Sequence, residues 1–366
     1  MGNSDSKLSF ESVKNCNKKW KYDELHRKIN RKNTDIYVRD INNKTPLIII
    51  CERNDIYNAD KLVEVLCLIG GPNYIDLITS DGFTALHQLC KYRQGKYCQG
   101  KYTIEIAKTL LSFGANPNIL AGDGNTALTL ICKNNNGVYK FNIIKMLIDA
   151  KADLNLQNND GDTALTLICN NDIGNNETMM IKMLIDAKAD VNLQNDNGDT
   201  ALTLICKRKI ESDQSKIIKM LIDAKADLNL QNDDGDTALT LICENISDES
   251  VPAINILIEY SKDCIFAKNT LGNTPLMIMC KKKSKYAPFI IKKLAEIGGN
   301  EYVNLQNNYG TNALIFACRN MNEYSHKILE ILLEYCDDKH CVDRFGKSAA
   351  DYICSKEKLE LLKLFQ

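Results

Sequence analysis

Apolar positions in residues 196–232, DNGDTALTLICKRKIESDQSKIIKMLIDAKADLNLQN, fall into two separate helical stripes. Leu202, Ile205 and Cys206 are spaced i, i+3, i+4, and Ile218, Leu221 and Ile222 repeat that spacing further on. Such spacing puts each set on one face of an α-helix. Between them runs the polar stretch KRKIESDQS, and after the second comes an extended LNLQN. Ahead of the first helix, Asn197-Gly198 suits a turn that needs positive φ. Thr200 stands where a helix N-cap belongs, its hydroxyl placed to accept a first-turn N–H. Two other stretches read Thr45-Pro46 and Thr274-Pro275 here, and proline is at home in the first helical position. The pattern therefore predicts turn, first helix, loop, second helix and extended finger.

This pattern recurs. GDTALTLIC occurs at 161–169, 198–206 and 235–243, each copy 37 positions from the last. Cys51, Cys90, Cys132, Cys169, Cys206, Cys243, Cys280, Cys318 and Cys354 follow at gaps of 39, 42, 37, 37, 37, 37, 38 and 36. Metal sites cluster their ligands, whereas these thiols are metered evenly, as small core residues of a repeat would be. A unit of this size cannot bury two apolar helix faces alone and must stack on its neighbours.

The Thr-Pro/Ala-Leu start, the small residue at the cysteine position and IIKMLIDAKADLNLQNDDGDT together resemble the ankyrin repeat. Nine units align on Thr45, Thr84, Thr126, Thr163, Thr200, Thr237, Thr274, Asn312 and Ser348. The resemblance implies an all-α ankyrin repeat solenoid of about nine helix-loop-helix units with short β-hairpin-like fingers. It implies a disordered tail over 1–17, a capping helix and finger over 18–40, repeats over 41–343 and a C-terminal capping repeat over 344–366. The Asn/Lys/Ile-rich wording and long repeat also resemble the ankyrin proteins of giant amoebal DNA viruses. The family repeat is about 33 residues, so the extra residues fall between the helices. Its motif histidine survives as His87, while Thr129, Thr166, Thr203 and Thr240 replace it elsewhere. The glycine that ends the second helix survives as Gly114, with Lys151, Lys188 and Lys225 in its place in three units. Those lysines are expected in a left-handed conformation at a cost of roughly 1 kcal/mol each against glycine.

Composition narrows the function. A formal net charge of −1 gives no global pull toward nucleic acid or a membrane surface. No apolar run reaches the length of a membrane span, and the first residues lack the apolar core of a signal peptide. The chain's 15 cysteines, read as free thiols, point to a reducing compartment and so to the cytoplasm, the host cytoplasm if the chain is viral.

No catalytic residues, cofactor or metal are expected. Cys336, His340 and Cys341 are the best zinc candidates, but their segment aligns with an ordinary helix end and finger. Phe345-Gly346-Lys347-Ser348 looks like the end of a phosphate loop, yet the required first glycine is Cys341. His26, His87, His326 and His340 lie in four different contexts and assemble no triad. Met1-Gly2-Asn3-Ser4-Asp5-Ser6 fits a myristoylation pattern at Gly2, the single route to a membrane that the sequence offers. Tyr92, Tyr97 and Tyr102 among basic residues would stack on nucleic acid if free, and Lys281-Lys282-Lys283-Ser284-Lys285 would serve as a nuclear import signal. At near-neutral overall charge, exposed loop decoration is the default reading of both.

What remains is surface. Asp81, Asp123, Asp160, Asp162, Asp196, Asp199, Asp233, Asp234 and Asp236 fall at or beside the finger turns, and the interhelix loops turn basic. The array is expected to be acidic at the fingertips and basic along the opposite edge. The expected function is a non-catalytic scaffold or adaptor. Its concave finger and first-helix face would take an unidentified protein partner carrying a basic segment, with no small-molecule substrate; recent duplication accounts for the like acidic fingers equally well. The alternative is a structural or self-associating virion component.

Overall fold

The structure, a computed structural model, describes residues 10–14, 19–31, 34–53, 56–91, 102–134, 139–171, 174–208, 214–260, 264–354 and 359–365. Gly2, Tyr92 and Tyr97 lie outside these. Among the described residues the first helices are Pro46–Glu52, Ala85–Cys90, Ala127–Lys133, Ala164–Cys169, Ala201–Lys207, Ala238–Glu244, Pro275–Cys280, Ala313–Arg319 and Ala349–Cys354. At six or seven residues they are too short to be stable in isolation, so tertiary burial must hold them. Ala201 through Cys206 are all buried, and the same six positions are buried from Thr45 to Asn312. Each buried Leu or Ile contributes roughly 1.5–3 kcal/mol.

The N-caps form as the sequence predicts. Thr45, Thr84, Thr126, Thr163, Thr200, Thr237, Thr274 and Asn312 all accept the N–H three residues on. Ser348 does so too, with Asp351 accepting the Ser348 N–H at 2.8 Å in return. Lys151, Lys188 and Lys225 take φ of 63°, 72° and 71°, the left-handed conformation expected of them.

The chain divides into two compact units, Met1–Asp172 with Met179–Asp190, and Ile173–Thr178 with Val191–Gln366. Within the first, the first helices from Pro46–Glu52 to Ala164–Cys169 stack in sequence order, and Ala59–Gly70, Thr103–Ser112 and Lys140–Asp149 stack behind them. Leu25, Ile29 and Ile36 of the N-terminal segment are buried. The expectation of a wholly disordered tail over 1–17 gives way at Phe10–Lys14, a short helix with Val13 buried, which packs near Pro46–Glu52. Within the second unit, the first helices from Ala201–Lys207 to Ala349–Cys354 stack likewise. The 3-10 helix Leu359–Phe365 packs on Ser325–Glu334.

Two second helices depart from the repeat. Ala59–Gly70 stops at Gly71 and restarts as Pro72–Ile75, and Ala287–Val303 kinks at Gly299, where φ is 63°. Both carry Gly-Gly-x-x-Tyr. A Cβ on Gly70 would lie 2.4 Å from the Tyr74 ring, and one on Gly298 would lie 2.3 Å from Tyr302. Glycine lets each tyrosine fold back and fill the core. Tyr302 is fully buried, and its hydroxyl accepts the Leu276 N–H at 3.2 Å.

Eight metered cysteines, Cys51 through Cys318, are buried, while Cys354 is exposed. All described cysteines are free. Burial pushes up the thiols of Cys51, Cys90, Cys132, Cys169, Cys206, Cys243 and Cys280, those of Cys132 and Cys243 to about 12, which keeps these thiols protonated and inert.

Candidate functional site

Each finger is a closed turn, and among the described residues no strand is formed, only isolated bridge positions such as Val342–Ser348. In the finger before Thr200, the Asn195 N–H donates to the Asp199 carbonyl at 3.0 Å, and Asn195 Oδ1 accepts the N–H groups of Asn197 and Asp199. Gly198 takes φ 70°, and a Cβ there would stand 2.9 Å from the Asp233 nitrogen. The glycine is needed for the turn and for the approach of the next finger.

Neighbouring fingers are tied by main chain. Gly122 donates its N–H to the Asp81 carbonyl and Asn159 to that of Asp123, at 2.9 and 3.3 Å. In the second unit, Asp233 donates to Asn197, Thr270 to Asp234, Asn308 to Leu271 and Arg344 to Tyr309, at 2.9 to 3.2 Å. Glutamines add a second row. Gln194 Nε2 reaches the carbonyls of Gly198 and Gln231, and Gln231 Nε2 those of Gly235 and Lys268. The backbone of the tips is thus held from both sides, and the side chain preceding each turn glycine points out to solvent.

These bonds sort the nine candidate aspartates. Asp81, Asp123 and Asp160 in the first unit, and Asp196, Asp233 and Asp234 in the second, are exposed. Asp199 is 1% exposed, and it accepts from Thr203 Oγ1 and Asn232 Nδ2, each at 3.2 Å, and pairs with Lys207 at 3.1 Å. Asp236 accepts from Asn269 Nδ2 at 3.1 Å, and Asp162 from Thr166 Oγ1 at 3.2 Å; both are half-buried. These three bind inside the repeat and do not offer their charge to a partner. The residue just before the N-cap receives an amide from the next unit: Asn158 reaches Asn125 and Asn307 reaches Asn273 in the same way.

The charge map also differs from the expected division. Basic residues end several first helices on the finger side, where Lys133 approaches Asp160 at 3.7 Å and Lys207 meets Asp199. The loop at 281–285 is largely paired, with Lys281 and Lys282 on Glu244 and Lys285 on Asp248. Tyr102 donates its hydroxyl to Asn58 Oδ1 at 3.2 Å, which turns it away from any base stack.

His87 holds three parts together. Its Nδ1 accepts the Thr84 N–H at 3.2 Å, so its Nε2 carries the proton and faces the carbonyls of Ile119 and Asn125 at 3.0 and 3.2 Å. Burial lowers its pKa. It is a structural histidine. Among the described residues no group of three or more His, Cys, Asp or Glu side chains could hold a metal. Cys341 receives Gln306 Nε2 at 2.8 Å instead. A polar cleft of about 230 Å³ between the first two fingers holds Lys44, Glu52, Asp81 and Lys91. Its charges are engaged at home, Lys44 on Glu52 at 2.8 Å and Lys91 over the Phe83 ring. No helix among the described residues is long and apolar enough to cross a membrane.

The sequence reading passed over one feature. Before the turn glycine, where Asp123, Asp160 and Asp234 stand, the last three fingers carry Leu271, Tyr309 and Phe345. The change from acid to apolar is visible in the alignment of turn glycines, but the exposure that gives it meaning is not.

A family model of ankyrin repeats, three copies long, matches residues 96–178, 136–212, 171–266, 208–299 and 247–343. Among solved structures, the crystal structure of the ankyrin repeat domain of Bcl-3, a unique member of the IkappaB protein family, is similar in fold. Its TM-score is 0.51 at 22% identity, over 66% of this chain and 99% of that one. No curated protein matches.

Proposed function

This chain belongs to the ankyrin repeat family, and on that premise we propose that it is a non-catalytic scaffold or adaptor binding a partner protein on its finger and first-helix face. The observation that carries the reading is the fingertip row. Within each compact unit its backbone is tied finger to finger, while its side chains, Asp81, Asp123 and Asp160 in one and Asp196, Asp233 and Asp234 in the other, face solvent. Rigid presentation of a few side chains lowers the entropy lost on binding. The carboxylates suit a partner with a basic segment and favour fast, salt-sensitive encounter. Among the described residues, the carboxylates of Asp162, Asp199 and Asp236 behind the tips are bonded within the repeat, which supports a surface role for the exposed tips over chemistry behind them. Free cysteines favour a reducing compartment such as the cytosol. A viral origin rests on residue usage and repeat length alone.

The test is affinity capture from cell lysate with the full chain and with a variant in which those six exposed aspartates are serine. The reading expects a protein retained by the parent and lost by the variant, with unchanged circular dichroism. The same partner on both would remove the acidic tips from the interface, and no specific partner on either would end the scaffold reading.

A further inference from the structure

We propose that the last three fingertips form a docking site for an acidic segment with an apolar side chain at every third residue. The proposal rests on the reading that fingertips bind protein, and it assigns this end of the chain a partner opposite in charge to that of the acidic tips.

Leu271, Tyr309 and Phe345 are 46%, 38% and 60% exposed at one and the same finger position. Contacts with the core do not explain them. The bonds from Asn308 N–H to the Leu271 carbonyl and from Arg344 N–H to the Tyr309 carbonyl, at 3.2 and 2.9 Å, fix the three in a row. The guanidinium of Arg344 lies 4.5 Å from the Tyr309 ring centre and 4.7 Å from that of Phe345, joining the two rings into one surface. Tyrosine, arginine and large apolar residues are the types that dominate binding energy at protein interfaces.

Charge selects the occupant. Arg319, Arg344 and Lys347 are exposed at this end. Asp343, between them in the chain, is buried, and it accepts the Tyr352 hydroxyl at 2.6 Å and the N–H groups of Phe345 and Lys347. Its charge is used internally, and the exposed carboxylate of Asp351 caps Ser348, so the three cations outnumber the acids on the outward face, which suits carboxylates. Spacing selects the backbone. Stacked helices sit about 8–10 Å apart, and a polyproline II segment rises about 3.1 Å per residue, returning to one side every third residue. Its apolar side chains then match one finger each, with acids between them for the arginines. A long nucleic acid fits less well, because Asp233 and Asp234 hold the finger next to Leu271, tied through Thr270 N–H to the Asp234 carbonyl at 2.9 Å.

Fluorescence anisotropy on the full chain tests this with a labelled peptide of four Leu-Pro-Asp repeats. Controls are four Ser-Pro-Asp repeats, four Leu-Pro-Lys repeats and single-stranded oligouridine. The Leu-Pro-Asp peptide is expected to bind about tenfold or more tightly than each control, and Arg344→Ser and Phe345→Ser are each expected to weaken it by about tenfold. Both residues are exposed, so circular dichroism should not change. The six-serine variant, which loses the carboxylates of the adjoining finger, is expected to bind the peptide at least as tightly as the parent, so failure of the acidic-tip reading would leave this one standing. Absent binding, equal binding of the three peptides, preference for oligouridine, or indifference to both substitutions would overturn the proposal.

Discussion

His87 and the threonines 129, 166 and 203 do one task with different atoms. The imidazole accepts the Thr84 N–H, while the hydroxyls of Thr129, Thr166 and Thr203 accept the N–H of Thr126, Thr163 and Thr200, each at 2.8 Å. The sequence reading saw a lost motif histidine. It could not see that a shorter side chain takes over the bond, because that depends on where the cap nitrogen points once the helix is packed. Only His87 titrates. Burial holds its folded pKa below the ordinary value of about 6.5, so the unfolded chain binds the proton more readily. Its contribution is intact above about pH 6.5 and is lost as pH falls below that toward the folded pKa. Urea unfolding of the parent and of His87→Thr, compared from pH 7.5 to 5, should show the parent losing stability relative to the variant on acidification. A constant difference would mean that burial does not lower the pKa of this imidazole. Lys188 offers a second residue-scale test. With φ at 72° it holds a conformation that costs an L residue about 1–2 kcal/mol, part of which glycine returns to the flexibility of the unfolded chain. Lys188→Gly should raise the melting temperature, by roughly 0.5–1 kcal/mol in stability.

Helices were legible where they repeat. The first helices announce themselves by Thr-Ala-Leu, a fixed cap and an apolar period, and the second by i, i+3, i+4 stripes, so both were readable to within a residue or two. The Gly-Gly-x-x-Tyr breaks were not, because glycine pairs in a helix read locally as weakness. Their meaning lies in a ring four residues on that fills the space a methyl would take. At Gly298 the clash is with Tyr302, while Gly299 is open but left-handed. Gly298→Ala should therefore destabilise by overpacking, about 1–3 kcal/mol in urea unfolding. Adding Tyr302→Phe would not relieve it, because the ring, not the hydroxyl, occupies the space. Rescue by Tyr302→Ala, against its own cavity cost, would confirm the contact. The aspartates teach the same lesson. Spacing placed all nine in the fingers, but only the side-chain amides of Asn232 and Asn269, reaching in from the next unit, turn Asp199 and Asp236 away from solvent.

Across the molecule, stability should be close to a sum over units and junctions. Residues 198–234 form one 37-residue unit between near-copies, so removing them joins surfaces that already match. The deletion is expected to fold, with a urea m-value lower by roughly a tenth in proportion to the surface lost. An unfolded product would mean that the copies are not interchangeable. The architecture was readable because it is periodic. The reversal from carboxylate to aromatic tips was in the sequence but carried no weight until exposure was known, since an isolated Leu or Phe in a turn can as well be buried.

The amide that Asn158, Asn232, Asn269 and Asn307 each hand back to the carboxylate or amide before the preceding N-cap has a genetic consequence. A junction sealed by the same asparagine-to-aspartate grip can be gained or lost whole by unequal recombination, with no new interface to invent. Copy number becomes an inherited dial on how much binding surface the gene displays, and near-identical copies such as those at 161–243 are where it turns most easily.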